Sequence, residues 1–144
     1  MKTKGTICLL VILIAVILTV LIFRPGRLVV GTFNETELPP EANRGDCFFY
    51  FDSNDMAQNT YLLTQDFEGF GYIKINGKLE KLNEDTTLQN RETFLHYYDD
   101  TNDVTIEIIN AISVDEYSSK INGKFYISHH RKDFTTDFVG YCGP

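Results

Sequence analysis

Val104-Thr105-Ile106-Glu107-Ile108-Ile109-Asn110-Ala111-Ile112-Ser113-Val114-Asp115 alternates branched apolar residues with polar ones at nearly every second place. Successive side chains of an extended chain point to opposite faces. Val104, Ile106, Ile108, Ile112 and Val114 therefore share one face, Thr105, Glu107, Ser113 and Asp115 the other, and only Asn110 breaks the apolar set. The stretch reads as a half-buried strand. Working outward, residues 47–51, 60–64, 69–75, 78–82, 93–98, 124–128 and 137–142 are rich in Tyr, Phe, Ile and Val and bounded by Asp, Asn and Gly, the composition of further strands. Asn76-Gly77 between two such runs marks a hairpin, because a type I′ turn needs positive φ at both central residues. Residues 99–103 read as another turn. One helical turn is expected over 52–59, with Asp52 or Ser53 as its cap. Seven or eight short strands in about 100 residues predict an all-β fold, a small antiparallel barrel or sandwich. Lys74-Ile75-Asn76-Gly77-Lys78 recurs as Lys120-Ile121-Asn122-Gly123-Lys124 with different flanks, which reads as the same turn chemistry used twice.

Ahead of this domain lies a different kind of sequence. Residues 7–23 are apolar but for Cys8 and Thr19. As a helix they would span about 25 Å at ~1.5 Å per residue, close to the ~30 Å of a bilayer core. Lys2 and Lys4 precede the run, and no small-residue pair follows it to suit signal peptidase. The expectation is an uncleaved signal-anchor: residues 1–6 a cytoplasmic tail, 7–23 one N-terminal transmembrane helix, 24–44 an extended stalk carrying Pro25, Pro39 and Pro40, and 45–144 an extracytoplasmic domain. The protein is then a single-pass membrane protein, in the inner membrane facing the periplasm if the source is Gram-negative.

From residue 45 onward the chain holds 17 Asp and Glu against 8 Lys and Arg, a net charge of −9. Such a surface repels phosphate backbones, which argues against nucleic acid and in favour of a cationic protein as partner. Two cysteines, Cys47 and Cys142, bracket this domain, and in an oxidising compartment such a pair is most simply a disulfide. Closing so long a loop stabilises by about 4–5 kcal/mol on the entropic model.

Convergent chemistry is harder to find. His129 and His130 are adjacent, so on a strand their rings point apart and do not chelate one metal. His96, beside Tyr97 and Tyr98, has no local nucleophile or orienting carboxylate. Residues 99–103 lack the glycine and distal glutamate of an EF-hand loop. Asn34-Glu35-Thr36 fits the N-glycosylation pattern. No catalytic, cofactor or metal residue is assigned, and no cofactor is expected.

Cys47-Phe48-Phe49-Tyr50-Phe51, Tyr72-Ile73-Lys74-Ile75-Asn76-Gly77-Lys78 and Val139-Gly140-Tyr141-Cys142-Gly143 resemble a group of small uncharacterised secreted or anchored proteins of Gram-negative bacteria. More distantly, the size, export segment and cysteine pair resemble the inhibitors of c-type lysozyme, small β-barrels that insert a Ser-Gly-x-x-Tyr loop into the enzyme's cleft. That resemblance implies partner-loop residues at Gly69 and Tyr72, or at Gly123 and Tyr126, although neither match carries the serine. The leading expectation is a non-enzymatic envelope protein with an acidic interaction domain. Its alternatives are an inhibitor of a basic cell-wall hydrolase such as lysozyme, and a small envelope enzyme using a histidine.

Overall fold

The computed structural model describes residues 26–42, 45–87 and 93–143. The signal-anchor expected at 7–23 lies outside them, and no helix among the described residues is long and apolar enough to cross a membrane. In chain order the strands are β1 (Val30–Gly31), β2 (Gly45–Tyr50), β3 (Leu63–Asp66), β4 (Phe70–Ile75), β5 (Lys78–Glu84), β6 (Phe94–Tyr98), β7 (Asn102–Ser113), β8 (Ser119–His129) and β9 (Lys132–Cys142). A single α-helix, α1 (Ser53–Gln58), follows β2. Asp52 caps it by accepting hydrogen bonds from the Asn54 and Asp55 amides, and Asn59 ends it in the left-handed region at φ 53°.

From β2 to β9 every strand pairs antiparallel with its neighbours in sequence, and β9 returns to β2, with Cys47 opposite Cys142 and Tyr50 opposite Val139. The result is an eight-stranded antiparallel up-and-down barrel with one extra strand, β1, added to the end of β4 through Val30–Ile75 and Gly31–Lys74. Closure leaves no long edge among the eight strands, the main hazard of an all-β chain. The alternation read from the sequence becomes the inside and outside of this barrel as far as Ile108; the bulge between Ile108 and Asn110 then breaks the phase, and Ile112 and Val114, expected on the same face, are exposed. Phe49, Ile73, Leu82, Leu95, Tyr97, Val104, Ile106, Phe125, Ile127 and Phe138 point inward and are almost completely excluded from solvent. Eight strands make an interior just wide enough for side chains to fill.

A second core lies outside the barrel. Phe48 and Tyr50 of β2 and Phe70 and Tyr72 of β4 alternate with inward residues, and they pack with Phe33, Ala42 and Tyr61. Residues 26–42 form the cover. This corrects the extended stalk expected over 24–44: the described part carries β1 and two 3-10 turns, Glu35–Glu37 and Pro40–Ala42, with Leu28, Phe33 and Ala42 buried. Prolines do stiffen the segment, but its spaced apolar residues have an aromatic surface to bury, and burial of a large apolar side chain contributes about 1.5–3 kcal/mol. The Glu37 carboxylate also pairs with the Lys74 ammonium, and the bridge Phe33–Tyr61 ties the segment to the stretch before β3.

The repeated pentapeptide is used in two ways. Asn76 (φ 50°) and Gly77 (φ 83°) form the hairpin turn between β4 and β5, as their chemistry predicts. Asn122-Gly123, by contrast, lies within β8, opposite a bulge in β7 between Ile108 and Asn110. A Cβ on Gly123 would sit 1.8 Å from the Glu107 carbonyl oxygen, so this glycine serves close strand approach and not a turn. The strands expected at 124–128 and 137–142 accordingly begin earlier, and β3 starts at Leu63 where 60–64 was expected.

Candidate functional site: an acidic cleft on β6 and β7

Barrel strands present alternate residues outward, so the short β6 between β5 and β7 sends Phe94, His96 and Tyr98 to the outer face while Leu95 and Tyr97 enter the core. Next to His96 and Tyr98 lies an open cleft of about 500 Å³, lined by Asp85, by Asp99 and Asp100 of the β6–β7 turn, by Asp103 of β7, and by the rim residues His130 and Arg131. His96 has Asp85 Oδ2 3.5 Å from Nδ1 and Asp103 Oδ1 3.2 Å from Nε2. Its ring stacks on Tyr98 at 6.0 Å between centroids. The convergence absent from the local sequence is thus supplied by register: the Asp85 amide donates to the His96 carbonyl, and Asp103 pairs with Tyr98 across β6 and β7.

Two of the cleft's carboxylates, Asp99 and Asp85, are held in their charged form. Burial works against the Asp99 carboxylate, but hydrogen bonds from Asn102 and Thr101 outweigh it and keep its pKa below the usual range. Hydrogen bonds from the Thr87 hydroxyl and amide lower that of Asp85 against the opposing effect of desolvation. His129, at the foot of the turn, has its Nδ1 2.7 Å from Asn102 Oδ1. Desolvation, then the neighbouring His130 and Lys132, push its pKa down. Beyond His129 the chain reverses through His130 (φ 47°) and Arg131 (φ 64°), both in the left-handed region without being glycine.

His129 and His130 form the hairpin end read from the sequence, but the expectation that their rings point apart is corrected: His130 leaves the extended conformation at φ 47°, and the two rings pack edge to face with centroids 4.4 Å apart. Among the described residues no three His, Cys, Asp or Glu side chains converge to hold a metal. Asp85 and Asp103 approach opposite nitrogens of one ring, an arrangement for orienting an imidazole and not for chelation.

The four partner-loop residues do not come together, and none offers a protruding tyrosine. Gly69 (φ 86°) closes the tight turn after β3, where Asp66 Oδ1 accepts from the Glu68 and Phe70 amides. Tyr72 is only 2% exposed beneath the 26–42 cover, its hydroxyl donating to Asp66 Oδ2 at 3.1 Å. Gly123 is inside β8. Tyr126 lies in the middle of β8 on the outer face, donates to Glu107 at 3.2 Å and lines a second hollow of about 470 Å³ with Phe94 and Thr105. Tyr72 packs in the outer core and Gly123 pairs within β8, so both residues serve the fold at these positions.

Cys47 and Cys142 form the disulfide expected from the sequence, their Cα atoms 4.1 Å apart across the β2–β9 seam. The cleft's aspartates were legible only as an acidic turn, and the signal that was missed is the alternation placing His96 and Tyr98 on the same outward face as Asp103. No protein-family model, curated protein or solved structure matches the chain.

Proposed function

We propose that the chain is a non-enzymatic binding protein of the cell envelope, anchored through residues 7–23, whose barrel receives a cationic group of a partner protein in the cleft on β6 and β7. The observation that carries this reading is the composition of the cleft: Asp85, Asp99, Asp100 and Asp103 line it together with the part-exposed Tyr98, against the cationic Arg131 on the rim. A lysine or arginine entering there meets carboxylates at its sides and an aromatic face, combining charge-assisted hydrogen bonds with a cation–π contact. The net charge of −7 draws a basic protein toward the barrel from a distance.

A second reading, acid–base chemistry at His96, is favoured by the nearness of the Asp85 carboxylate, 3.5 Å from Nδ1, where a small shift would let it orient the imidazole. The nitrogen that would face a substrate, Nε2, faces Asp103 instead. A basic cell-wall hydrolase such as lysozyme fits the charge of the cleft, and its contact would then be made there and not by a Gly-x-x-Tyr loop.

The test is titration of the full chain in detergent with poly-lysine and with a c-type lysozyme, at low and at raised salt. The double variant Asp100→Asn, Asp103→Asn should weaken binding about tenfold, ~1.4 kcal/mol, and flatten its salt dependence. Undiminished binding would remove the cleft from the interaction. Turnover of a cell-wall or ester substrate that His96→Gln abolishes would establish the second reading.

A further inference from the structure

In an up-and-down barrel successive connections alternate between the two ends, so topology assigns each turn to an end. One end carries α1, the Asn76-Gly77 turn, the β6–β7 turn and the His130-Arg131 turn. The chain also enters the barrel here. The Lys132 ammonium donates to the Gly26 carbonyl, Val29 exchanges hydrogen bonds with Asn76 through its amide and carbonyl, and β1 pairs with the last two residues of β4. Only Arg24 and Pro25 separate Gly26 from Phe23, the last residue of the apolar run, a span of about 10 Å at most at ~3.3–3.6 Å per residue.

The charges divide the same way. At the entry end Arg27, Lys78, Arg131 and Lys132 balance the aspartates of α1 and of the β6–β7 turn. At the far end the start of β2, the β3–β4 turn, the described start of the β5–β6 connection and the β7–β8 turn carry Asp46, Asp66, Glu68, Asp85, Asp115 and Glu116, against Lys120 at the start of β8. An anionic lipid surface repels the second end and tolerates the first, and exposed Arg27 and Arg131 gain from headgroup phosphates.

We infer that the barrel stands on the membrane by its entry end, held within about 10 Å of the lipid headgroups by the docked 26–42 segment, with the disulfide and the β7–β8 hairpin pointing away. This rests on the reading that residues 7–23 are embedded in a lipid bilayer. Along the eleven residues of β8 the barrel is about 36 Å long, and with the usual strand tilt its ends differ in height by roughly 25–30 Å. The cleft on β6 and β7 is bounded on one side by the β6–β7 and His130-Arg131 turns of the entry end and on another by Asp85 of the β5–β6 connection, so its entry-end side lies nearest the bilayer and selects partners that reach that level.

The experiment places a fluorophore at Asn54→Cys in α1 or at Glu116→Cys in the β7–β8 turn, both in the full chain with Cys8→Ser. Each is reconstituted in phosphatidylcholine–phosphatidylglycerol vesicles containing headgroup-nitroxide lipid, with folding checked by circular dichroism. Quenching at residue 54 should exceed that at residue 116 at least threefold. Equal quenching in vesicle-bound protein would mean a freely tumbling domain, and reversed quenching an inverted one, and either overturns the orientation alone. Protein released to the soluble fraction by carbonate washing overturns the membrane reading and this inference with it.

Discussion

At the scale of single residues, the most informative conformations are those of His130 and Arg131. Two adjacent residues at positive φ match the type I′ geometry that Asn-Gly adopts without strain at residues 76 and 77. Replacing His130-Arg131 with Asn-Gly should raise stability by about 1–2 kcal/mol in urea denaturation, while weakening a partner that contacts the rim. The tyrosines under the 26–42 cover give a second expectation. Burial raises the pKa of Tyr50 to about 12 and also raises those of Tyr61 and Tyr72, the last reinforced by its bond to Asp66. A folded-state pKa above the unfolded value of ~10 means the stabilisation is complete below pH 10 and is lost as pH rises through the folded values. Phenolate absorbance should therefore appear together with loss of structure above about pH 10, and a gradual ionisation of all tyrosines in a still-folded protein would contradict the burial.

At the scale of elements, the β7–β8 hairpin depends on a glycine that looks like a turn residue. Gly123→Ala would drive a methyl group into the Glu107 carbonyl, and it should cost about 2–3 kcal/mol by chemical denaturation, through forced separation of two central strands. The 26–42 segment is an element of equal structural weight. A fragment beginning at Gly45 leaves Tyr50, Tyr61 and Tyr72 without the cover supplied by Phe33 and Ala42. It should bind a hydrophobic dye and aggregate, whereas a fragment beginning at Gly26 should do neither.

At the scale of the molecule, the disulfide lies at the seam where the barrel closes. Cys47 and Cys142, 95 residues apart in sequence, join the first and last strands of the barrel. Loss of the bond frees the denatured chain by about 4–5 kcal/mol on the entropic model. Either Cys→Ser change should lower the melting temperature by more than ~10 °C, at about 4–8 °C per kcal/mol for a domain of this size. A shift of only a few degrees would show that β2–β9 pairing and the interior core close the barrel by themselves.

Local pattern alone determined where most of the strands lie, though not β1 or the first halves of β8 and β9, because the period-two alternation of Val104 to Ile108 and the turn chemistry of Asn76-Gly77 and Asp52 act over a few neighbouring residues. Composition also marked the acidic surface, and cysteine position the cross-link. Tertiary structure alone decided the rest, since each remaining question turned on residues far apart in the chain. The same Lys-Ile-Asn-Gly-Lys became a turn in one place and strand interior in the other according to what lay opposite it. The proline-bearing segment became part of the fold because an aromatic surface from β2 and β4 stood ready to cover it. Asp85, His96 and Asp103 came together only through strand register, which long-range pairing sets and no local stretch of sequence encodes.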